Sequence, residues 1–165
     1  AGFFFLDVFS SVFSNLFIVG FGFAITGIFL LIASVGKKNN RNEISYLDAV
    51  IVGIAQMFAL FPGISRSGAT ISAGLLAGLT EKKAVKFSFL MSIPIIFGAN
   101  ILLIGNQRLE PNLIWATLLA FFVGLITIHV LVKYVLTSYK NLRWFAIYAL
   151  VLAAVIIFLS LVGFI

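Results

Sequence analysis

The chain reads as an all-α integral membrane protein: a transmembrane helix bundle with a re-entrant helical hairpin. Three observations predict this. Hydrophobic residues make up 62% of the 165 positions and charged residues only 10%, whereas soluble domains are about half apolar and a quarter charged. The apolar residues fall into long runs broken by short basic loops. One polar decapeptide, residues 61–70, interrupts the oil at a proline–glycine break.

Composition excludes several classes of function. There is no cysteine, so disulfides and thiolate metal sites are ruled out, and a single histidine, His129, rules out a multi-histidine zinc site. The formal charge of +6 would point to nucleic acid in a soluble protein. Here the cations cluster in short loops, which reads as membrane orientation, and no nucleic-acid partner is expected. The start lacks the basic leading region of a signal peptide and reads like the middle of something longer.

Taken in order, residues 2–13 are aromatic-rich and too short to span, and read as an interfacial segment or helix end. Residues 16–34 are long enough to cross, with Gly20, Gly22 and Gly27 available for close helix contact. Residues 36–45 form a loop with Lys37, Lys38 and Arg41. Residues 47–61 are helical in period but about 15 long, roughly 22 Å, which is short for a bilayer. Residues 68–79 are shorter still. Two short apolar helices joined at Pro62-Gly63 predict a re-entrant hairpin over about 47–79 within a single membrane domain, 1–165. A charged loop follows (Glu81, Lys82, Lys83, Lys86). Residues 87–104 span, with Pro94 expected to kink them. Residues 105–111 turn, 113–132 span, 133–143 form a third basic loop, and 144–164 span behind Trp144. With the basic loops in the cytoplasm, four spans and one hairpin fit, and the hairpin tip points toward the outer face.

The chemistry concentrates at that tip. Ser65, Arg66, Ser67 and Thr70 offer three hydroxyls and a permanent cation at the start of a helix, a ready anion site. An arginine at membrane depth is costly and marks function by default. The competing reading is an arginine tying helix ends together, with one of the hydroxyls serving as a cap. Gln56 faces either a partner helix or a cavity. Asp48 begins the first hairpin arm, where a carboxylate suits the helix dipole. Ser88 and Ser92 share a helix face and read as packing glue. His129 sits late in a span, away from the tip. No acid or histidine lies beside the serines, so none is assigned as a nucleophile; the chain reads as half of an active site.

Gly53-Ile-Ala-Gln56, then the run from Ala59 through Phe61-Pro-Gly-Ile-Ser-Arg-Ser-Gly-Ala-Thr to Ile71, then Gly78-Leu, Phe87-Ser-Phe-Leu and Ser92-Ile-Pro94, resemble the undecaprenyl-diphosphate phosphatases, the bacitracin-resistance proteins, in their C-terminal portion. Ile64 departs from the pattern, standing where the family usually has threonine. The family's first-half features, a glutamate-rich helix and a Ser-Ser-x-x-His stretch, are absent. The resemblance implies an inverted-repeat architecture with one re-entrant hairpin per half, of which this chain is one half, and removal of one phosphate from undecaprenyl diphosphate at the outer face of the bacterial plasma membrane, recycling the cell-wall lipid carrier. It implies that Ser65, Arg66, Ser67 and Thr70 bind the diphosphate, with Gly68 and Gln56 beside them and Arg66 catalytic. The acid, base and nucleophile would come from the missing half, so this chain alone is expected to be inactive. A divalent cation, Mg or Ca, is implied as cofactor, with no ligand for it visible in this chain. A homo-oligomer is compatible with the sequence. The alternatives are a carrier of polyprenyl phosphate or another anionic lipid, and a non-catalytic membrane subunit.

Overall fold

A computed structural model describes residues 15–35, 41–104, 112–130, 133 and 139–162. The expected interfacial segment 2–13, the lysines at 37 and 38, the turn 105–111 and residues 134–138 of the loop 133–143 lie outside the described residues, while 139–143, expected as loop, open the last helix. Six α-helices are described: α1 (Leu16–Val35), α2 (Tyr46–Phe58), α3 (Arg66–Leu76), α4 (Glu81–Ile104), α5 (Asn112–Val130) and α6 (Tyr139–Leu161). The protein is an all-α membrane protein, and three helices are long and apolar enough to cross: Leu16–Val35, Glu81–Ile101 and Asn141–Leu161. The fourth expected span, α5, is apolar but shorter over its described length, Ile114–Val130.

Helix starts depart from the expected boundaries for local reasons. Asn15 caps α1 by accepting from the N–H groups of Phe17 and Ile18. The charged stretch 81–86, expected as loop, is the first part of α4. Glu81 lies in the first turn, where the dipole favours an acid, and lysines are good helix formers whose long stems carry the charge outward. α4 runs on through Pro94 as one helix.

α3 is the hub. Every residue from Gly68 to Leu75 is buried, and the helix packs against α1, α2 and α4. A helix enclosed on all sides must be thin, and Gly68, Ala69, Ser72, Ala73 and Gly74 make it so. Its apolar side chains Ile71 and Leu75 join Leu30 and Ala33 of α1, Ala84 and Val85 of α4, and Leu142 and Ala146 of α6 in one core. α1 and α6 form the longest helix pair. Gly20 and Gly27, seven residues apart and so on one face, let α6 approach: an added Cβ would meet Ile157 and Leu150. α5 is exposed along residues 114–130 except for half-buried Gly124.

Gly22 serves a different contact from the one expected. It lies under the turn between α2 and α3, where an added Cβ would collide with the Pro62 carbonyl. The turn is type II, with Pro62 and Gly63 at its centre, Gly63 at φ +84 and the Ile64 N–H donating to the Phe61 carbonyl at 3.2 Å. A Cβ on Gly63 would in turn strike the Val19 carbonyl. Gly22→Ala and Gly63→Ala are therefore expected to cost about 1–3 kcal/mol or more each. Gly98→Ala, which meets open space, should be neutral or stabilising by about 0.5–1 kcal/mol. Thermal melting of the three variants in detergent checks this ordering.

Candidate functional site

The hairpin tip is pinned by Thr26, a residue that sequence reasoning missed. Its hydroxyl accepts from the Ser65 N–H at 2.9 Å and faces the carbonyls of Gly22 (3.1 Å) and Gly63 (3.4 Å). Threonine in a membrane helix commonly bonds its own preceding turn, so nothing in the pattern alone marked it as reaching the hairpin. Ser65 is the N-cap of α3, its hydroxyl accepting from the Gly68 N–H at 3.2 Å. Gly68 is buried against Thr26 and Ser65, where a Cβ would be tight.

The predicted site residues separate onto different sides of α3. Arg66 and Gln56 line the larger cavity, about 560 Å³, whose other walls are Gly53, Met57, Ala59, Leu60 and Ile95. Within it Arg66 Nη2 and Gln56 Oε1 are both buried without a hydrogen-bond partner. Buried polar atoms are normally paired, and each exception calls for a cause. Ser65 and Ser67 line a smaller cavity of about 80 Å³ with Leu30, Gly68, Ile71, Leu142 and Phe145. Their hydroxyls are 3.5 Å apart.

Thr70 departs from its expected role. It is buried, and its hydroxyl donates to the Arg66 carbonyl at 2.9 Å. Ser88 on α4 then donates to it at 2.6 Å. A hydroxyl committed in this way packs α3 on α4 and has no face left for an anion. The serine expected as glue is its partner, and Ser92 bonds only the Phe89 carbonyl within its own helix. His129 is exposed near the end of α5.

At the other end of the hairpin, Asp48 opens α2 in a capping box with Ser45. It accepts from both terminal nitrogens of Arg41, at 2.9 and 2.6 Å, and from the Ser45 N–H and hydroxyl. The Arg41 hydrogen bond dominates in lowering the carboxyl to about 2; the Ser45 bonds add to it, and burial opposes them. Among the described residues no group of three or more acids or histidines is placed to hold a metal. The described residues thus do not fit a divalent cation by themselves, and no chemical step is assigned to one.

These features define a class: a multi-pass helical membrane protein in which an arginine at the tip of a helical hairpin lines an apolar-walled cavity with one buried, unpartnered nitrogen. The chain belongs to the family described as bacitracin resistance protein BacA, which it matches over residues 1–155. It is 41% identical over 159 residues to an undecaprenyl-diphosphatase of Methanococcus vannielii, covering 95% of this chain and 63% of that protein. It is 42% identical to that of Thermosipho africanus, covering 96% and 64%. To that of Bifidobacterium adolescentis it is 41% identical, covering 99% and 60%. The chain thus spans less than two thirds of the length of these relatives.

Two outcomes follow from the geometry. Thr70→Val and Ser88→Ala should each cost about 1–3 kcal/mol, and the double variant should cost less than their sum, as a double-mutant cycle of melting midpoints would show. Because Asp48 is lowered in the folded state, its contribution is complete above about pH 4 and is lost as pH falls toward about 2. The wild-type melting temperature should drop through that window, and the drop should be smaller in Asp48→Asn.

Proposed function

We propose that the protein carrying this chain removes the terminal phosphate of a polyprenyl diphosphate, undecaprenyl diphosphate in the first instance, and that Arg66 binds the phosphate being lost. One observation carries this reading: a buried arginine nitrogen with no partner, in a cavity otherwise walled by apolar groups and one glutamine. A guanidinium with a terminal nitrogen left unpaired is shaped for phosphate oxygens. The apolar walls suit a ligand whose anionic head is attached to hydrocarbon. The relatives' printed name, undecaprenyl-diphosphatase, agrees with that chemistry.

In this reading the hairpin is re-entrant, its tip is reached from the outer face of the bacterial plasma membrane, and its base lies at the cytoplasmic side. The basic residues near the base, Arg41, Lys82, Lys83 and Lys86, support that orientation. Arg66 holds the terminal phosphate and neutralises charge that builds as water displaces the lipid monophosphate. The N-terminus of α3 adds its dipole in the same direction. Gln56 turns its amide toward the same group. Ser65 acts indirectly, by capping the helix that carries Arg66. No nucleophile or general base is assigned within this chain.

The test is phosphate release from undecaprenyl diphosphate by the complete gene product in detergent or vesicles. Arg66→Ala should lower turnover by about 10²- to 10³-fold, the usual loss when a charge-stabilising donor is removed. Arg66→Lys should retain part of it, as a point charge without the fork. Arg66→Met, which fills the same space without a buried charge, should hold or raise the melting temperature while abolishing turnover. Loss of folding in Arg66→Met with turnover preserved in Arg66→Lys and Arg66→Ala would make the residue a helix bridge instead. Lipid movement across vesicles without phosphate release would make the protein a carrier.

A further inference from the structure

The hairpin has a polar tip and a polar base, and the base is built as carefully as the tip. α3 ends in a Schellman motif: Gly78 sits at φ +98, its N–H bonds the Leu75 carbonyl at 3.0 Å, and the Leu79 N–H bonds the Gly74 carbonyl at 3.0 Å. That motif leaves the carbonyl of Ala77, the C-cap, at the negative end of the helix. Arg41 takes it. One nitrogen of its guanidinium donates both to the Ala77 carbonyl and to Asp48, while the second donates to the other Asp48 oxygen. The backbone of the same residue completes the junction, the Arg41 carbonyl accepting from the Thr80 N–H at 3.1 Å. Thr80 also donates its hydroxyl to Asn42 at 3.0 Å.

A single side chain therefore joins the first turn of α2 to the last turn of α3. Those two helices carry Gln56 and Arg66 at their opposite ends. On α2, Asp48, Val52 and Gln56 fall at four-residue steps along one face, and Val52 is fully buried between the other two. α3 is buried from Gly68 to Leu75. The two helices are short, 13 and 11 residues, and so transmit a shift at one end to the other with little bending to absorb it. A cation at a helix C-terminus is favourable in itself, but a lysine would supply that charge as well. What the arginine adds is the planar fork, which meets a carboxylate and a carbonyl in fixed relation.

We propose that Arg41 is a positioning residue for the candidate site: its three-way bond at the hairpin base sets the register of α2 against α3, and so fixes where Gln56 and Arg66 meet in the cavity at the tip. The functional part of this claim rests on the phosphatase reading above; the structural part does not.

The experiment combines two readouts on the complete gene product in nanodiscs: hydrogen–deuterium exchange of the tip amides, residues 61–69, and kcat and KM for phosphate release. In Arg41→Ala the tip amides should exchange at least tenfold faster, and kcat should fall at least tenfold, at a temperature where melting shows the protein folded. Free guanidinium ion, added at millimolar concentration, should restore part of both. Arg41→Lys should recover stability more than kcat, because it keeps the charge and loses the fork. The exchange Arg41→Asp with Asp48→Arg should remake the ion pair without the Ala77 bond, and should likewise recover melting temperature but not kcat. Unchanged tip exchange in folded Arg41→Ala, or a kcat that simply follows melting temperature across all variants, would overturn the proposal. If wild type releases no phosphate, the phosphatase reading fails, and the exchange data still decide whether Arg41 governs the tip.

Discussion

The structure depends on how it satisfies a non-helical turn in apolar surroundings. Between Phe58 and Arg66 the backbone leaves the helix, and its N–H and C=O groups need partners that lipid cannot supply. The protein solves this with one hydroxyl and two glycines. Thr26 reaches from α1 to the Ser65 N–H and lies against the Gly63 carbonyl. Gly22 and Gly63 remove the side chains that would keep α1 from the turn. Without that contact the turn would have no floor, and α3, which begins two residues later, would have no fixed start.

The rest of the bundle follows from placing α3 at the centre. A helix surrounded by α1, α2 and α4 has no room along its enclosed stretch, residues 68–75, for a large polar or charged side chain, so the polar residues there are short. Thr70 and Ser88 show the pattern, the Thr70 hydroxyl donating to the Arg66 carbonyl of its own helix and accepting from Ser88 of α4. Charge is confined to the two ends. At the base, Arg41 and Asp48 cancel each other beside the loop, with Arg41 still 40% exposed and Asp48 at 3%. At the tip, Arg66 meets no carboxylate among the described residues, and one of its nitrogens is buried and unbonded. The two arginines thus mark opposite uses of the same side chain. One is neutralised within the chain and holds helices together, and the other keeps a buried nitrogen unbonded.

Much of this was legible in sequence, and the exceptions have a common cause. Long apolar runs, the Pro-Gly break and the clustered polar residues were enough for the helix order, the hairpin and the membrane class, because each is a local property. Gly20 and Gly27 were legible as helix contacts for the same reason. Thr26, Gly22 and Arg41 were not, since their partners lie far along the chain at Ser65, Gly63 and Ala77. A threonine inside an apolar helix and an arginine in a basic loop carry no mark of what they will touch. The charged start of α4 was misread because lysines after a glycine turn look like loop, whereas the helix begins as soon as the Gly78 cap permits.

The separation of Arg66 and Gln56 from Ser65 and Ser67 bears on how such a motif works. A run of serines around an arginine invites the picture of one cluster closing on one phosphate. The geometry instead gives each residue a different neighbour. Ser65 spends an acceptor on the Gly68 N–H, Thr70 is enclosed against α4, and Ser67 looks toward Phe145 and Leu142. Only the arginine and the glutamine offer buried, unspent polar atoms to the larger cavity. Two of the hydroxyls thus bond within the protein: that of Ser65 starts α3 at a fixed residue, and that of Thr70 closes it against α4. A short polar motif in a membrane protein can be dense because most of it is needed to hold one charge in place.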